Sequence, residues 1–442
     1  MMYRLAVTCL VLGVISQLFA KTYNLESILI LARQNNKQIK LAEADKQFAD
    51  AQKKEAVSTA LPKINVDLGY NRNIFENRFY FEVEDPETGA MTTQSFKASF
   101  KNEYTLNAAL NQTLFGFGKI GNAIQAAGYF EKYTNFNYQT QWQDVITQVK
   151  KAFYSALLLK QVWNVAEQSG QNARENYENI LLKFESGAVS EFELLQAESR
   201  WQNVIPEAMQ ARKNYELALN NLKALVDIPL REEIELTGEF ESLPPMPDSL
   251  SYGIVFEQRP DYNSLLWEKK LQEKRVAVEF SNHLPTLSGN VVYTYGARSD
   301  QFQLENDNDN VIVGVSLNVP IFSGGFTTAQ VQKAKVDVQR VKTRIDMAND
   351  NIRIELQNIR LRLKEAQERM QATQKSVNTA RRAYEIAESR VIHGLATQLE
   401  LKDSQVLLDQ AQVSYYSAIY DYLEAYFDWQ LATGQVDGEQ PW

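Results

Sequence analysis

The chain has 442 residues, 44% of them hydrophobic, and a formal net charge of −9. An acidic balance without a basic stripe excludes a nucleic-acid binder, and no segment past the leader approaches the roughly 18 consecutive apolar residues a membrane helix requires. The single cysteine, Cys9, falls within that leader, so the remainder has no disulfide framework and no thiolate metal site.

The opening MMYRLAVTCLVLGVISQLFA carries Arg4, an apolar run from Leu5 to Ile15 and small Ala20 before Lys21. It predicts a signal peptide over 1–20. A lipoprotein signal would use Cys9, although Thr8 stands where such a site has Gly or Ala. Lys21 to Ala60 reads as two helices, the first capped by Asn24, and Leu61-Pro62 ends the second. The apolar period then changes from 3.6 to 2. Ile64, Val66, Leu68 and Tyr70 alternate with Asn65, Asp67, Gly69 and Asn71, a strand with one greasy and one polar face. Phe75 to Gln94 reads as the loop of a long hairpin, turning at Asp85-Pro86-Glu87-Thr88-Gly89. Phe96 to Leu110 is its return strand.

Leu114-Phe115-Gly116 then opens a helical run that reaches Gly187, and a second helix leads away from Ser190 to Val226 with Pro206 inside it, where a kink or break is expected. Asp227 to Tyr252, with Leu243-Pro244-Pro245-Met246-Pro247, is the Pro-rich connector. Beyond it the order repeats. Paired helices end at Leu284-Pro285, strands start at Leu287 and at Val311, and Ile321-Phe322-Ser323 opens a long helix that ends at Gly394. In this helix Ile359, Leu363, Ala366, Met370, Thr373, Val377, Ala380, Tyr384, Ala387 and Val391 recur in steps of four and three, a coiled-coil seam. Helices of that length would be roughly 100 Å long. Phe115 to Gly187 and Phe322 to Gly394 are the same 72 residues apart, which points to a duplicated unit whose length is constrained. The predicted organisation is a first repeat over 21–226, a connector over 227–250, a second repeat over 251–434 and a tail over 435–442.

Strands of alternating polarity fit membrane strands, apolar toward lipid and polar toward a lumen. Two ordinary hairpins on a core would show the same pattern. Four strands cannot close a membrane barrel, which needs about eight, so a membrane reading requires several chains to share one. In the order of helices, hairpin, long helix, Gly turn and returning helix, twice over, the chain resembles the TolC-like outer-membrane channel family across nearly its whole length. LFGFGKIGNAIQAA and IFSGGFTTAQVQKA are similar to that family's strand-to-helix junctions.

The resemblance implies a mainly α fold with membrane β. Long antiparallel helical hairpins would form a periplasmic α-barrel continuous with an outer-membrane β-barrel, four strands per chain and twelve in a homotrimer, and the connector would lie in an equatorial belt. It implies a passive exit duct for efflux or type I secretion, set in outer-membrane lipid. Its partners would be a periplasmic adaptor (membrane fusion) protein and an inner-membrane RND or ABC transporter. The alternative is a structural coiled-coil protein that spans the periplasm without conducting.

Two turns stand out. Gly187-Ala188-Val189-Ser190 and Gly394-Leu395-Ala396-Thr397 read as helix punctuation, with Ser190 and Thr397 as caps and Glu193 and Glu400 completing capping boxes. The resemblance makes them, in addition, the hairpin tips that adaptors meet. Glu400 and Asp403 share a helix face, and the family's pattern puts acidic residues there as rings across a closed periplasmic aperture. Six carboxylates around a threefold axis would favour cations and hold a blocking divalent ion. The aromatic and arginine latch of the family's best-known member has no counterpart, since Val391 and Ala396 occupy those positions. His283 and His393, the only histidines, lie at the ends of different elements and make no metal or triad site. Gly116-Phe117-Gly118-Lys119 lacks both the preceding Gly and the following Ser or Thr of a phosphate loop. No cofactor and no enzymatic constellation is expected.

Overall fold

The computed structural model describes residues 21–87 and 89–436, so the expected signal peptide and the tail beyond Val436 lie outside the described residues. In chain order the elements are β1 (Lys21–Tyr23), α1 (Leu25–Asn35), α2 (Lys37–Ser58), β2 (Lys63–Arg72), β3 (Arg78–Glu84), β4 (Met91–Lys97), β5 (Asn102–Phe115), α3 (Lys119–Glu185) and α4 (Glu191–Val226). They continue with β6 (Ile234–Leu236), α5 (Tyr252–Gln258), α6 (Pro260–Ser281), β7 (Thr286–Ser299), β8 (Asn308–Asn318), α7 (Phe326–Ile392) and α8 (Gln398–Thr433). The duplication is visible in the lengths. α3 and α7 have 67 residues each, α4 and α8 have 36 each, and α2 and α6 have 22 each.

The chain forms two compact units, and each draws on both halves of the sequence. The strand unit takes residues 47–134 and 265–344. Its main sheet runs β2-β5-β7-β8, antiparallel throughout, with β5 and β7 joining the two hairpins along 13 registered pairs from Asn102↔Ser299 to Phe115↔Leu287. Where the sequence suggested a bare loop, β3 and β4 form a hairpin of their own. The return strand accordingly breaks after Lys97 and resumes at Asn102. The break has a local cause: Lys101 N–H donates to Asp300 Oδ1 (3.0 Å) and Asn73 Nδ2 donates to Phe100 C=O (2.8 Å), which draws this backbone out of the ladder. The last strand stops at Asn318 rather than continuing to Ile321, because Pro320 has no N–H to offer a ladder.

The helical unit takes 21–46, 135–264 and 345–436 of the described residues. Its larger core packs Ile146, Phe153, Leu222, Leu236, Ile419 and Leu423. The predicted seam of α7 faces a second core, where Ile352, Leu356, Ile359, Leu363 and Ala366 pack on Tyr422, Ala425 and Trp429 of α8. Steps of four and three keep these residues on one stripe. α3 and α4 pair through stacked rings, Trp163 on Tyr215 (5.9 Å) and Tyr177 on Trp201 (5.2 Å). Two expectations need correcting. Pro206 does not break α4, which runs through it from Glu191 to Val226, the proline removing one backbone N–H donor from the helix. The connector is not pure coil, since its β6 pairs in parallel with β1, so Lys21–Tyr23 is a strand where helix was expected.

Candidate functional site: an apolar sheet face and two helix-hairpin tips

Register sorts the side chains of the main sheet into a mainly apolar and a mainly polar face, with exceptions such as Gln112 and Asp309 on the first and Ala109, Val292 and Ile312 on the second. On one face lie Ile64, Val66, Leu68 and Tyr70 of β2, opposed by Leu110, Ala108, Leu106 and Tyr104 of β5. The same face carries Val291, Tyr293, Tyr295 and Ala297 of β7 and Val311, Val313, Val315 and Leu317 of β8. The other face carries Asn65, Asp67, Asn107, Thr105, Asn290, Thr294, Asn310 and Ser316. On the outer strands the apolar face is uncovered, Leu68 being 77% exposed and Val313 74%, while on β5 and β7 most of it is half-buried and Ala297 is buried. Burying such a face is worth about 25 cal/mol per Å², and water is the wrong solvent for it. Aromatic rings bound it at both ends. Tyr70, Tyr104 and Phe302 cluster at 5.2–6.1 Å on one side, and Phe115 meets Phe117 at 4.7 Å on the other. Rings of this kind sit where hydrocarbon gives way to headgroups. Among the described residues no helix is long and apolar enough to cross a membrane. Among the described residues the outer strands β2 and β8 each leave one edge without a partner.

The tips follow from their capping chemistry. Gly187 (φ 75°) and Gly394 (φ 71°) adopt the left-handed conformation that ends a helix. Ala188 N–H then donates to Lys183 C=O (2.8 Å) and Leu395 N–H to Arg390 C=O (2.7 Å). Ser190 Oγ accepts from Glu193 N–H at 3.4 Å and Thr397 Oγ1 from Glu400 N–H at 3.3 Å, which starts α4 and α8. Gly187, Ala188, Ser190, Gly394, Leu395 and Thr397 are exposed, while Val189 and Ala396 are half-buried. Exposed apolar side chains flank both turns: Leu182, Phe192 and Leu195 at the first, Ile392, Leu395 and Leu399 at the second. A Cβ added at Gly394 meets nothing within 4 Å, so only the backbone resists substitution. Gly394→Val is therefore expected to destabilise the turn by about 1–2 kcal/mol. Gly394→Asn should be nearly silent, and amide exchange across the turn separates them.

Glu400 and Asp403 lie together on the exposed face of α8, in the same unit as both tips. Their surroundings differ. Glu400 Oε2 is 3.5 Å from Arg390 Nη1, and Arg390 Nη2 donates to Leu395 C=O (3.0 Å), so an arginine ties the second tip to the acidic face. Asp403 has no ion-pair partner among the described residues. Sequence reasoning missed Arg390, whose only signal is a cation ten residues before Glu400 across a turn.

It missed a polar network as well. Below the tips a cleft of about 790 Å³ lies among α3, α4, α7 and α8. Asn176 Nδ2 donates to Gln398 Oε1 (2.8 Å), Asn172 Nδ2 to Gln405 Oε1 (3.3 Å) and Ser169 Oγ to Asp409 Oδ2 (2.8 Å), three rungs between α3 and α8. Burial pushes the Tyr384 phenol beside them up to about 12, helped by nearby Glu388, Asp409 and Glu175. Among the described residues no cluster of His, Cys, Asp and Glu could hold a metal ion.

An amphipathic sheet with open edges and long capped hairpins together define the class of outer-membrane channel proteins. The family model described as outer membrane efflux protein matches residues 28–226 and 252–435, and the chain belongs to that family. It resembles the alkaline protease secretion protein AprF of Pseudomonas aeruginosa, 23% identical over 78% of this chain and 74% of AprF. It also resembles the outer membrane protein TolC of Escherichia coli, 23% identical over 71% of this chain and 62% of TolC. Among solved structures, the CmeC outer membrane channel of Campylobacter jejuni superposes with a TM-score of 0.79 at 22% identity, over 94% of this chain and 87% of CmeC. The protein is an exit duct of the outer membrane that extends into the periplasm, and its family is a channel family rather than an enzyme family.

Proposed function

We propose that three copies share one twelve-stranded barrel, each closing its β8 edge on the β2 edge of the next. The observation that carries this is the main sheet itself: one face mainly apolar and most exposed on the outer strands β2 and β8, the other mainly polar, and both outer edges unpaired among the described residues. From the Leu287 row to the Ala297 row the strands rise roughly 33 Å, or about 25 Å once tilted near 40°, which is the height of an outer-membrane apolar band. The polar face, rich in Asn, Thr and Ser, then lines a water-filled lumen. The long hairpins of the three copies continue the duct, and substrate enters from an inner-membrane RND or ABC transporter through a periplasmic adaptor. The exposed apolar side chains around Gly187–Ser190 and Gly394–Thr397 support docking of that adaptor, because they leave greasy surface at the end of otherwise charged helices.

Glu400 and Asp403 form the aperture gate in this reading, six carboxylates that attract cations to the entrance. Single-channel recording in planar bilayers tests it. The purified protein should conduct, and a divalent cation such as Mg²⁺ on the tip side should block it. Glu400→Ala with Asp403→Ala should raise the blocking concentration by roughly tenfold or more. Unchanged block would remove the pair from the gate, and a protein that extracts as a non-conducting polymer would favour the structural coiled-coil reading.

A further inference from the structure

Asp409 is a carboxylate for which the gate has so far no use. It is drawn into the helical unit, where it and Arg200 keep only 21% and 18% of their side-chain exposure. Groups from four helices face it. From α3 comes Ser169, which donates at 2.8 Å; from α4 come Arg200, 4.0 Å away, and Glu207; Glu175 of α3 acts on the neighbouring Tyr384. Tyr384, bonded to Glu388 at 3.5 Å, faces it from α7, and on its own helix Gln405 donates to it at 2.6 Å. Arg200 also donates to Ser169 Oγ at 3.4 Å, so one cation serves both partners.

The placement decides what this cluster can do. Within each hairpin the helices hold by apolar contact: Trp163, Tyr215, Tyr177 and Trp201 in the first, Ile359, Leu363 and Tyr422 in the second. Between the hairpins, below the tips, the contact is the polar ladder that ends on Asp409. Neutral rungs exchange for water at a net cost of only about 0.5–1.5 kcal/mol each. Farther from the tips α3 and α8 share the larger apolar core, so only the tip end of the seam between hairpins parts cheaply, and Asp409 is the carboxylate drawn into that end.

We propose that the Asp409 cluster is a proton-responsive clasp between the two tip hairpins, holding them together more firmly as the surrounding solution turns acid. This rests on the duct reading and supplies its regulation. In the clasped state the carboxylate is desolvated, and burial holds it above the usual carboxylate range, although Ser169, Gln405 and Arg200 pull the other way. When the hairpins part, water reaches it and its affinity for protons returns to ordinary. A carboxyl that binds protons more tightly when clasped favours the clasp below its raised value and loses that contribution as pH rises through it. The proton comes from bulk water onto Asp409 Oδ2, and the bond to Ser169 reverses, the new carboxyl O–H donating to Ser169 Oγ.

Recording single channels while the tip-side pH is raised from about 4, the ordinary carboxylate value, to about 8 tests this. Open probability of the wild type should rise roughly three- to tenfold. Asp409→Asn, an uncharged isostere, should stay at the acid level throughout. Ser169→Ala removes a donor that favours the carboxylate, and should move the midpoint to higher pH; it carries the test should the Asp409→Asn variant fail to assemble. A wild-type response that persists in Asp409→Asn, or a midpoint unmoved in Ser169→Ala, overturns the clasp while leaving the duct standing. A chain that conducts at no pH sinks the duct reading instead. Amide exchange across residues 165–176 and 402–412 still reads the clasp in that case: protection gained in acid, beyond the intrinsic pH dependence, must be present in the wild type and absent in Asp409→Asn.

Discussion

Arginine in place of Val313 is expected to keep the chain out of the outer membrane. Val313 lies in the row Ile64, Leu110, Val291, Val313, near the middle of the apolar face, and is among its most exposed members. A guanidinium at the centre of a barrel's lipid face is unfavourable by about 2–4 kcal/mol, and the proposed threefold assembly would place three at one depth. Outer-membrane yield of the assembled protein should fall by more than roughly tenfold. Asn290→Arg, on the polar face of the neighbouring strand, is the comparison: its side chain enters water, and yield should be nearly unchanged. Equal losses in both would mean that the sheet faces something other than lipid and lumen.

The second large effect lies in the helical unit. Arg259, with 11% of its side chain exposed, donates from Nη2 to Asp261 Oδ2 (2.7 Å) and from Nη1 to Glu355 Oε2 (2.6 Å) and Ala432 C=O (3.0 Å). It thus joins the start of α6 to α7 and to the end of α8. Asp144 stands beside this group, held up chiefly by burial and next by Asp261, with Arg259 opposing. Arg259→Met leaves three carboxylates facing one another. A fully buried pair broken this way costs about 3–5 kcal/mol; since Asp261 and Glu355 keep 43% exposure, water screens part of the loss and about 2–3 kcal/mol is expected. The sign with pH is fixed by Asp144. Without the arginine its carboxyl rises further, so the destabilisation should be greatest near neutral pH and shrink as acid neutralises the cluster. Thermal unfolding of the assembled protein at both extremes reads it.

Much of this architecture was legible because period and punctuation are local properties. Alternation at Ile64–Tyr70 and at Val311–Leu317, the seam from Ile359 to Val391, and Gly–x–x–Ser/Thr at the tips each need only a short stretch of chain to state, and the structure has them where the pattern put them. What escaped is what depends on distant partners. Ser169 and Asp409 are 240 residues apart, and nothing near either one announces the other. Arg390 acts across a turn. β1 could not be told from the start of a helix, because Lys21–Tyr23 becomes a strand only by pairing with Ile234–Leu236. The break at Ser99–Lys101 is imposed by Asp300, from the other half of the chain. Pro206 is the opposite case: the local rule that a proline ends a helix does not hold in α4, which continues through it.

The two halves carry helices of identical residue count, 67 with 67 and 36 with 36. A change of reach can therefore never be made in one place. Deleting a heptad from α7 alone would leave its turn stranded about two windings short of its twin and put every seam residue of α8 opposite the wrong neighbour. Shortening or lengthening this protein to suit a narrower or wider cell envelope means coordinated edits of about seven residues in all four long helices, and naturally occurring variants of different span should differ from it in such matched sets.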